Sequence, residues 1–210
     1  MMSQVRGGTR WKRFAVVMVP SVAATAAIGV GLAQGALAAS FSVSGQSFKV
    51  TADTLDGTDF FQYGSLAQGT DLKGNKTLHP VAVSSFGTAT ITNMCQSVVT
   101  PDVPIFGSVS LELRAGGKGT PVKAENLYLD VAELQANATF KNIDIGVAAG
   151  DKANKPGIQP NTQANPYGFA QRAKEAHLTD VKQTAWATTA GTFKLSGLSM
   201  KLHKGVKECY

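Results

Sequence analysis

Apolar and polar residues alternate in short bursts along most of this chain, which is the period of a β-strand with one buried face. Val81 to Val99 reads VAVSSFGTATITNMCQSVV; Val81, Val83, Ala89, Ile91 and Cys95 share one parity and Thr88, Thr90 and Thr92 hold the other. That pattern predicts a half-buried strand pair with a break at Phe86-Gly87. Val109, Leu111 and Leu113 alternate with Ser110, Glu112 and Arg114 in the next strand, and Ala115-Gly-Gly-Lys-Gly119 must turn. Leu127, Leu129 and Val131 predict a further strand, and Ile143, Ile145 and Val147 another. Composition stays β-like from Leu178 onward, with small residues around Trp186 as a closely apposed sheet requires.

The last burst, Phe193 to Leu202 (FKLSGLSMKL), repeats the order of residue types in Phe41 to Val50 (FSVSGQSFKV). Phe193 and Leu195 have the opposite parity to Leu198, Met200 and Leu202. One extra residue at Ser196-Gly197, a β-bulge, would return all five to one face. Terminal strands in equivalent places are the expected consequence.

Three stretches depart from alternation. Asp53, Asp56 and Asp59 surround Gly57 without the spacing or closing Glu of a calcium loop, so a solvated turn is expected there. Gly150 to Gly168, GDKANKPGIQPNTQANPYG, has little to bury and predicts a mobile loop. Asn165-Pro166-Tyr167 at its end predicts the start of a short helix over Phe169 to Ala176. The expected fold is therefore all-β, an antiparallel-rich sandwich or solenoid-like stack with one short helix.

Charge changes the picture only at the N-terminus. The net charge of +6 over 210 residues invites a nucleic-acid partner. However, Arg6, Arg10, Lys12 and Arg13 supply most of the excess, no acid precedes Asp53, and the remainder is nearly balanced. No nucleic-acid partner is expected. A basic start, the apolar run Phe14 to Leu32, and Ala36-Leu37-Ala38 make residues 1–39 an export signal. The alternative is an uncleaved membrane anchor, since the apolar run is long enough to span. Either way residues 40–210 form one exported domain, extracellular or in the cell envelope, held at the outer face of the cytoplasmic membrane if the leader remains. Cys95 and Cys209 are the only cysteines. In an oxidising compartment they predict one disulfide over a long loop, with a loop-entropy value of about 4 to 5 kcal/mol as an upper guide.

Chemistry is sparse. No G-x-S-x-G, H-E-x-x-H, phosphate loop, dinucleotide fingerprint or Cys/His cluster occurs, so no cofactor, metal or catalytic set is assigned. His203 and Ser199 stand four apart on one predicted strand, about 13 Å end to end, and do not meet there. Glycosidase carboxylates remain open, because two acids distant in sequence suffice. Phe60, Phe61, Tyr63 and Trp186 are core or the aromatic wall of a ligand site.

Several long strings carry a resemblance: Thr184 to Leu198 (TAWATTAGTFKLSGL), Lys204 to Tyr210 (KGVKECY), Asp56 to Gly64, His79 to Val83, and Asn93 to Val99. The chain beyond its leader resembles an uncharacterised family of actinobacterial exported or membrane-associated proteins, some labelled cholesterol esterase. The resemblance implies a lipid-linked role and brings no catalytic residues with it. The expectation is a non-catalytic exported envelope protein that binds a lipid-like or surface partner, or another envelope protein, or builds structure. A lipid (sterol) ester hydrolase is the alternative, and carbohydrate binding through the four aromatics a third.

Overall fold

The computed structural model describes residues 44–160 and 162–210. The expected leader at 1–39 and Phe41 to Val43 of the first decamer lie outside the described residues. What is described is all-β: β1 (Phe48–Thr70), β2 (Lys76–Thr92), β3 (Met94–Val103), β4 (Gly107–Ala115), β5 (Val122–Ala148), β6 (Phe169–Thr189), β7 (Thr192–Lys194) and β8 (Ser199–Lys204). Every pairing is antiparallel, in the order β2-β5-β6-β1-β3-β4-β8.

Because β2 also pairs with β1, the four long strands close into a small barrel. Phe48 on β1 faces Ala185 on β6, Ala185 faces Val131 on β5, Val131 faces Ala82 on β2, and Ala82 faces Gly64, back on β1. Closure therefore returns far along the strand it left. Such a stagger demands steeply tilted strands, and the tilt widens the barrel enough for four strands to enclose a lumen.

Strands this long stay wrapped because they invert their faces at matched points. Asn126 on β5, Gly87 on β2, Asp59 on β1, Lys174 on β6 and Asn142 further along β5 lie in one row across the sheet, each flanked by paired residues. Asn126, Asp59 and Asn142 take positive φ values of 48°, 50° and 53°. Asn and Asp are the side-chain-bearing residues that tolerate this conformation best. On either side of the row opposite parities point inward: Ala124 and Leu127, Ala89 and Phe86, Leu55 and Phe60, Ala176 and Ala173. A second row, Asp53 on β1, Asp180 on β6 and Asn93 just past the end of β2, repeats the device at the same interval, with Asn93 at φ 49° and Asp180 at φ 54°.

These rows correct several expectations. Asp53, Asp56 and Asp59 lie inside β1 rather than in a turn. β2 runs through Phe86-Gly87 and breaks at Asn93. The two strands expected over Leu127 to Val131 and Ile143 to Val147 are one, β5. The helix expected over Phe169 to Ala176 is the start of β6, and no helix occurs among the described residues. Ala170, Ala173 and Ala176 are buried in the sheet, so neighbouring strands decide the conformation over local helix propensity. Phe193 to Leu202 is not one bulged strand either. Gly197, at φ 67°, turns the chain from β7 on the barrel to β8 on the far side of β4.

Strands β3, β4 and β8 extend the sheet as a wing beyond the barrel. One face of the wing is polar and is covered by the C-terminal tail. The expected Cys95–Cys209 disulfide is formed there, with Cα atoms 6.0 Å apart. The Cys209 N–H donates to Ser97 Oγ (3.0 Å), the Lys207 N–H to Ser110 Oγ (2.9 Å), and Ser110 Oγ to the Gly205 carbonyl (2.7 Å). Buried Glu112 accepts from Arg114 Nε at 2.5 Å and has Lys207 Nζ at 3.3 Å. The Arg114 bond, ahead of Lys207, holds its carboxyl below the usual carboxylate range.

Candidate functional site: an apolar lumen with an amide end

The larger core cluster fills the barrel interior incompletely. A cavity of about 200 Å³ remains, walled by Phe60, Phe86, Phe140, Leu129, Leu178 and Val181 among others. Phe60 centres the aromatic part, 5.4 Å from the Phe86 ring and 4.9 Å from the Phe140 ring. Gly57 permits this arrangement, since a Cβ there would stand 2.3 Å from Phe86 Cδ1.

Polar groups on the lumen wall are neutral. Gln62 Nε2 donates to Ser84 Oγ at 2.8 Å, and Gln171 Nε2 donates to Gln62 Oε1 at 2.6 Å. Gln62, Ser84 and Gln171 occupy facing positions on β1, β2 and β6, so the strand register itself builds the run. Gln183, also buried, lines both this cavity and a smaller space of about 30 Å³ deeper in the barrel, toward Val50, Ile91 and Met94. No charged side chain lines either space. An ion would lose its hydration there without a partner.

The way in follows from the pairing. β5 pairs with β2 only from Val122 to Val131; beyond Val131 it continues against β6 alone. Leu134, Ala136, Ala138 and Phe140 line the cavity from that half of β5, and Leu134 is exposed. The mouth lies along this free edge.

The four aromatics singled out in the sequence divide between two faces. Phe60, 4% exposed, faces the lumen. Phe61 and Tyr63, at 0% and 2%, face outward into a second cluster with Val81, Val83 and Ala170. Trp186 packs against that outer cluster and stacks on His79, ring centroids 3.5 Å apart. With Phe60, Phe61 and Tyr63 buried, these rings form no open platform for a sugar. Residues 149–160 and 162–168 cover the outer cluster. Ile158 and Ala164 pack on it, the Gln159 N–H donates to Tyr63 Oη (2.9 Å), and Asn154 Nδ2 donates to the carbonyls of Ala148 and Ala149. Asp130 lies on the same outer face, where burial raises its carboxyl to about 6. Burial also raises the Tyr63 and Tyr128 hydroxyls.

Gln62, Ser84, Gln171 and Gln183 escaped the sequence reading. Their signal was a polar residue at core parity: Gln62 two residues from Phe60, Ser84 two from Phe86, Gln183 two from Val181. Other polar chemistry lies elsewhere. His177 Nδ1 and Asp56 Oδ1 pair at 2.5 Å in an exposed groove on the outer wall, beside Thr58, Thr88 and Thr139. Ser199 faces Arg114 and His203 faces Ser110, so the two do not meet. Among the described residues no histidine hydrogen-bonds a serine, and no group of three or more His, Cys, Asp or Glu side chains is placed to hold a metal.

Residues 44–210 match the model of a family described as "Family of unknown function (DUF6230)". No curated protein and no solved structure matches the chain.

Proposed function

The chain belongs to that family of unknown function, and we propose that it is a non-catalytic exported protein of the cell envelope that holds the apolar part of a neutral lipid in its barrel lumen. The lumen carries the proposal. At about 200 Å³ it exceeds the ~150 Å³ apolar cavity that takes up benzene. It falls short of the roughly 300 to 1,000 Å³ of drug-sized sites. It therefore suits a segment of an acyl or isoprenoid chain rather than a whole lipid. About six methylenes at ~0.8 kcal/mol each give roughly 5 kcal/mol, enough for retention at membrane concentrations. The amide and hydroxyl groups of Gln62, Ser84, Gln171 and Gln183 suit an ester, alcohol or amide on the ligand and disfavour a free carboxylate. The leader at residues 1–39 and the Cys95–Cys209 bridge support an oxidising, exported location.

Native mass spectrometry of the chain purified from its host's envelope tests the reading. A lipid-sized adduct is expected, and Ala138→Trp, which places an indole at the lumen mouth, is expected to lose it while remaining folded. A clean mass for the parent protein, together with no thermal stabilisation by monoacylglycerol or long-chain alcohol, would sink the proposal.

The ester hydrolase alternative draws on the Asp56–His177 pair. That pair stands on the outer wall, and the lumen is on the opposite face of the same strands. Ester hydrolysis lost on His177→Ala would favour it over the binding role.

A further inference from the structure

We infer that the free edge of β5 is a self-pairing surface: two copies of this chain join antiparallel along residues 133–141, and each supplies the wall that the other's lumen lacks. The pairing is independent of what the lumen holds. Beyond Val131, β5 has β6 on one side and no strand on the other among the described residues. Strand β2 does not extend to cover this edge. Its ladder to β5 stops at Ala82, two residues from Pro80, which has no N–H to donate. Leu134, Ala136, Ala138 and Phe140 line the cavity from this stretch, yet Leu134 is 38% exposed and Ala138 is exposed as well. They point toward the core and still meet solvent, because nothing stands beside β5.

Such edges are ordinarily guarded by short length, lysines, prolines, bulges or charges that point inward. The wing's open edge, β8, is short and carries Lys201 and Lys204. Between 133 and 141 there is no proline, no glycine and no charge on the lumen side. Where the ladder to β6 slips, between Gln135 and Asn137, the extra residue lies on β6 and leaves β5 regular.

Two constraints choose the occupant, and they agree. The regular stretch is bounded by the bulge at Ala132 and by the face inversion at Asn142. A strand that uses all of it against itself has Asn137 on the two-fold axis. That register sets Glu133 opposite Lys141 and Leu134 opposite Phe140, each twice by symmetry, with Gln135 opposite Thr139 and Ala136 opposite Ala138. Lumen residues then meet lumen residues, and the partner's Phe140 stands beside the exposed Leu134. A register shifted by two residues sets Glu133 against Thr139 or against the inverted Ile143, and the charge opposition is lost. Within one copy Glu133 has no ion-pair partner among the described residues and accepts only from Gln135 Nε2, at 2.9 Å. Lys141 Nζ bonds Glu175 at 2.7 Å, and both side chains are exposed, so the lysine would lie between two carboxylates in the pair. A second copy carries this complement by construction; an unrelated strand does not.

Asn137→Cys in the chain purified from its host's envelope tests the pairing, because the readout is specific to position and does not register association through the leader. Opposite residues of an antiparallel pair have Cα atoms about 4.5–5.5 Å apart, within reach of a disulfide. Mild oxidation is expected to give a dimer cross-linked through the introduced thiols. Glu133→Cys alone should give none, since its two copies would lie about 26 Å apart, whereas Glu133→Cys with Lys141→Cys should cross-link. Adding Glu133→Lys to the Asn137→Cys chain sets lysine opposite lysine twice and should weaken self-association by roughly tenfold. Asn137→Cys gives up one exposed hydrogen bond, to Asp180, and a retained melting temperature shows that the variant is folded. A folded Asn137→Cys chain that stays monomeric, or cross-links no better than Glu133→Cys, would overturn the pairing. Native mass spectra of the parent protein separate this proposal from the lumen reading. An adduct-bearing monomer removes the pairing and leaves the lumen reading standing; a dimer without adduct does the reverse.

Discussion

At the scale of single residues the barrel is shaped by what is missing at Gly57 and by what is buried at Asp130. Phe86 lies directly on the Gly57 backbone, and an added Cβ would stand 2.3 Å from its ring. Overpacking of this kind costs about 1–3 kcal/mol. Gly57→Ala should lower the melting temperature, and Phe86→Leu in the same chain should recover part of the loss; a double mutant no better than Gly57→Ala would refute the contact. Asp130 works through protons. It faces Val83 and Ala187, near Tyr63 and Tyr128, whose hydroxyls are neutral at ordinary pH, and burial raises its carboxyl from 3.8 to about 6. The folded state thus keeps a proton that the unfolded state has already released. Below about pH 4 both states are protonated and the group costs nothing. Between about 4 and 6 stability falls as pH rises, and above 6 the full penalty stands, on the order of 2–3 kcal/mol. Asp130→Asn should therefore raise the melting temperature near pH 8 and leave it nearly unchanged near pH 4. An equal gain at both pH values would show that burial of the charge is not the cause.

At the scale of elements, the alternation that identified strands also misplaced their ends. The sequence reading treated each change of parity as a boundary: a turn at Asp53 to Asp59, a break at Phe86-Gly87, a gap between Val131 and Ile143. In the barrel most of those changes are face inversions inside continuous strands, made at Asp53, Asp59, Gly87, Asn126 and Asn142. Local pattern shows that a face inverts at such a point. Only the neighbouring strand, inverting at the same row, decides that the strand goes on. The same limit hid the lumen, because Gln62 and Gln183 are polar positions on buried faces and acquire meaning only once four strands close. All-β class and the disulfide were legible because they rest on residue type, parity and cysteine count, whereas Phe60, Phe61 and Tyr63 stayed open between core and ligand wall: Phe60 and Phe61 have opposite parity, and both are buried only because each face of the strand is covered. The inversion rows carry their own test. Asn126, at φ 48°, should accept Gly with little loss. Asn126→Val should cost about 1–2 kcal/mol, because a β-branched residue resists the left-handed region. Similar melting temperatures for the two variants would mean that the row needs no left-handed residue there.

At the scale of the whole molecule, barrel and wing are held by different means. The barrel closes on itself through ladders and a shared core, so each of its long strands is supported from both sides over much of its length. The wing ends in an open edge at β8 and has its tail laid across one polar face. What fixes that tail is a short series of bonds, from Gly205 to Ser108, Lys207 to Ser110 and Glu112, and Cys209 to Ser97, closed by the disulfide across 114 residues. A loop of that length corresponds to about 4–5 kcal/mol in the chain-entropy account. That value concerns the unfolded chain, so removing both cysteines should lower global stability without opening the barrel locally. The tail should respond differently. In Cys95→Ser with Cys209→Ser, amide exchange should rise first across 205–210 and β8, while β1 and β6 stay protected up to the global transition. If β1 and β6 instead exchange together with the tail, barrel and wing unfold as one unit, and the wing does not move independently of the lumen.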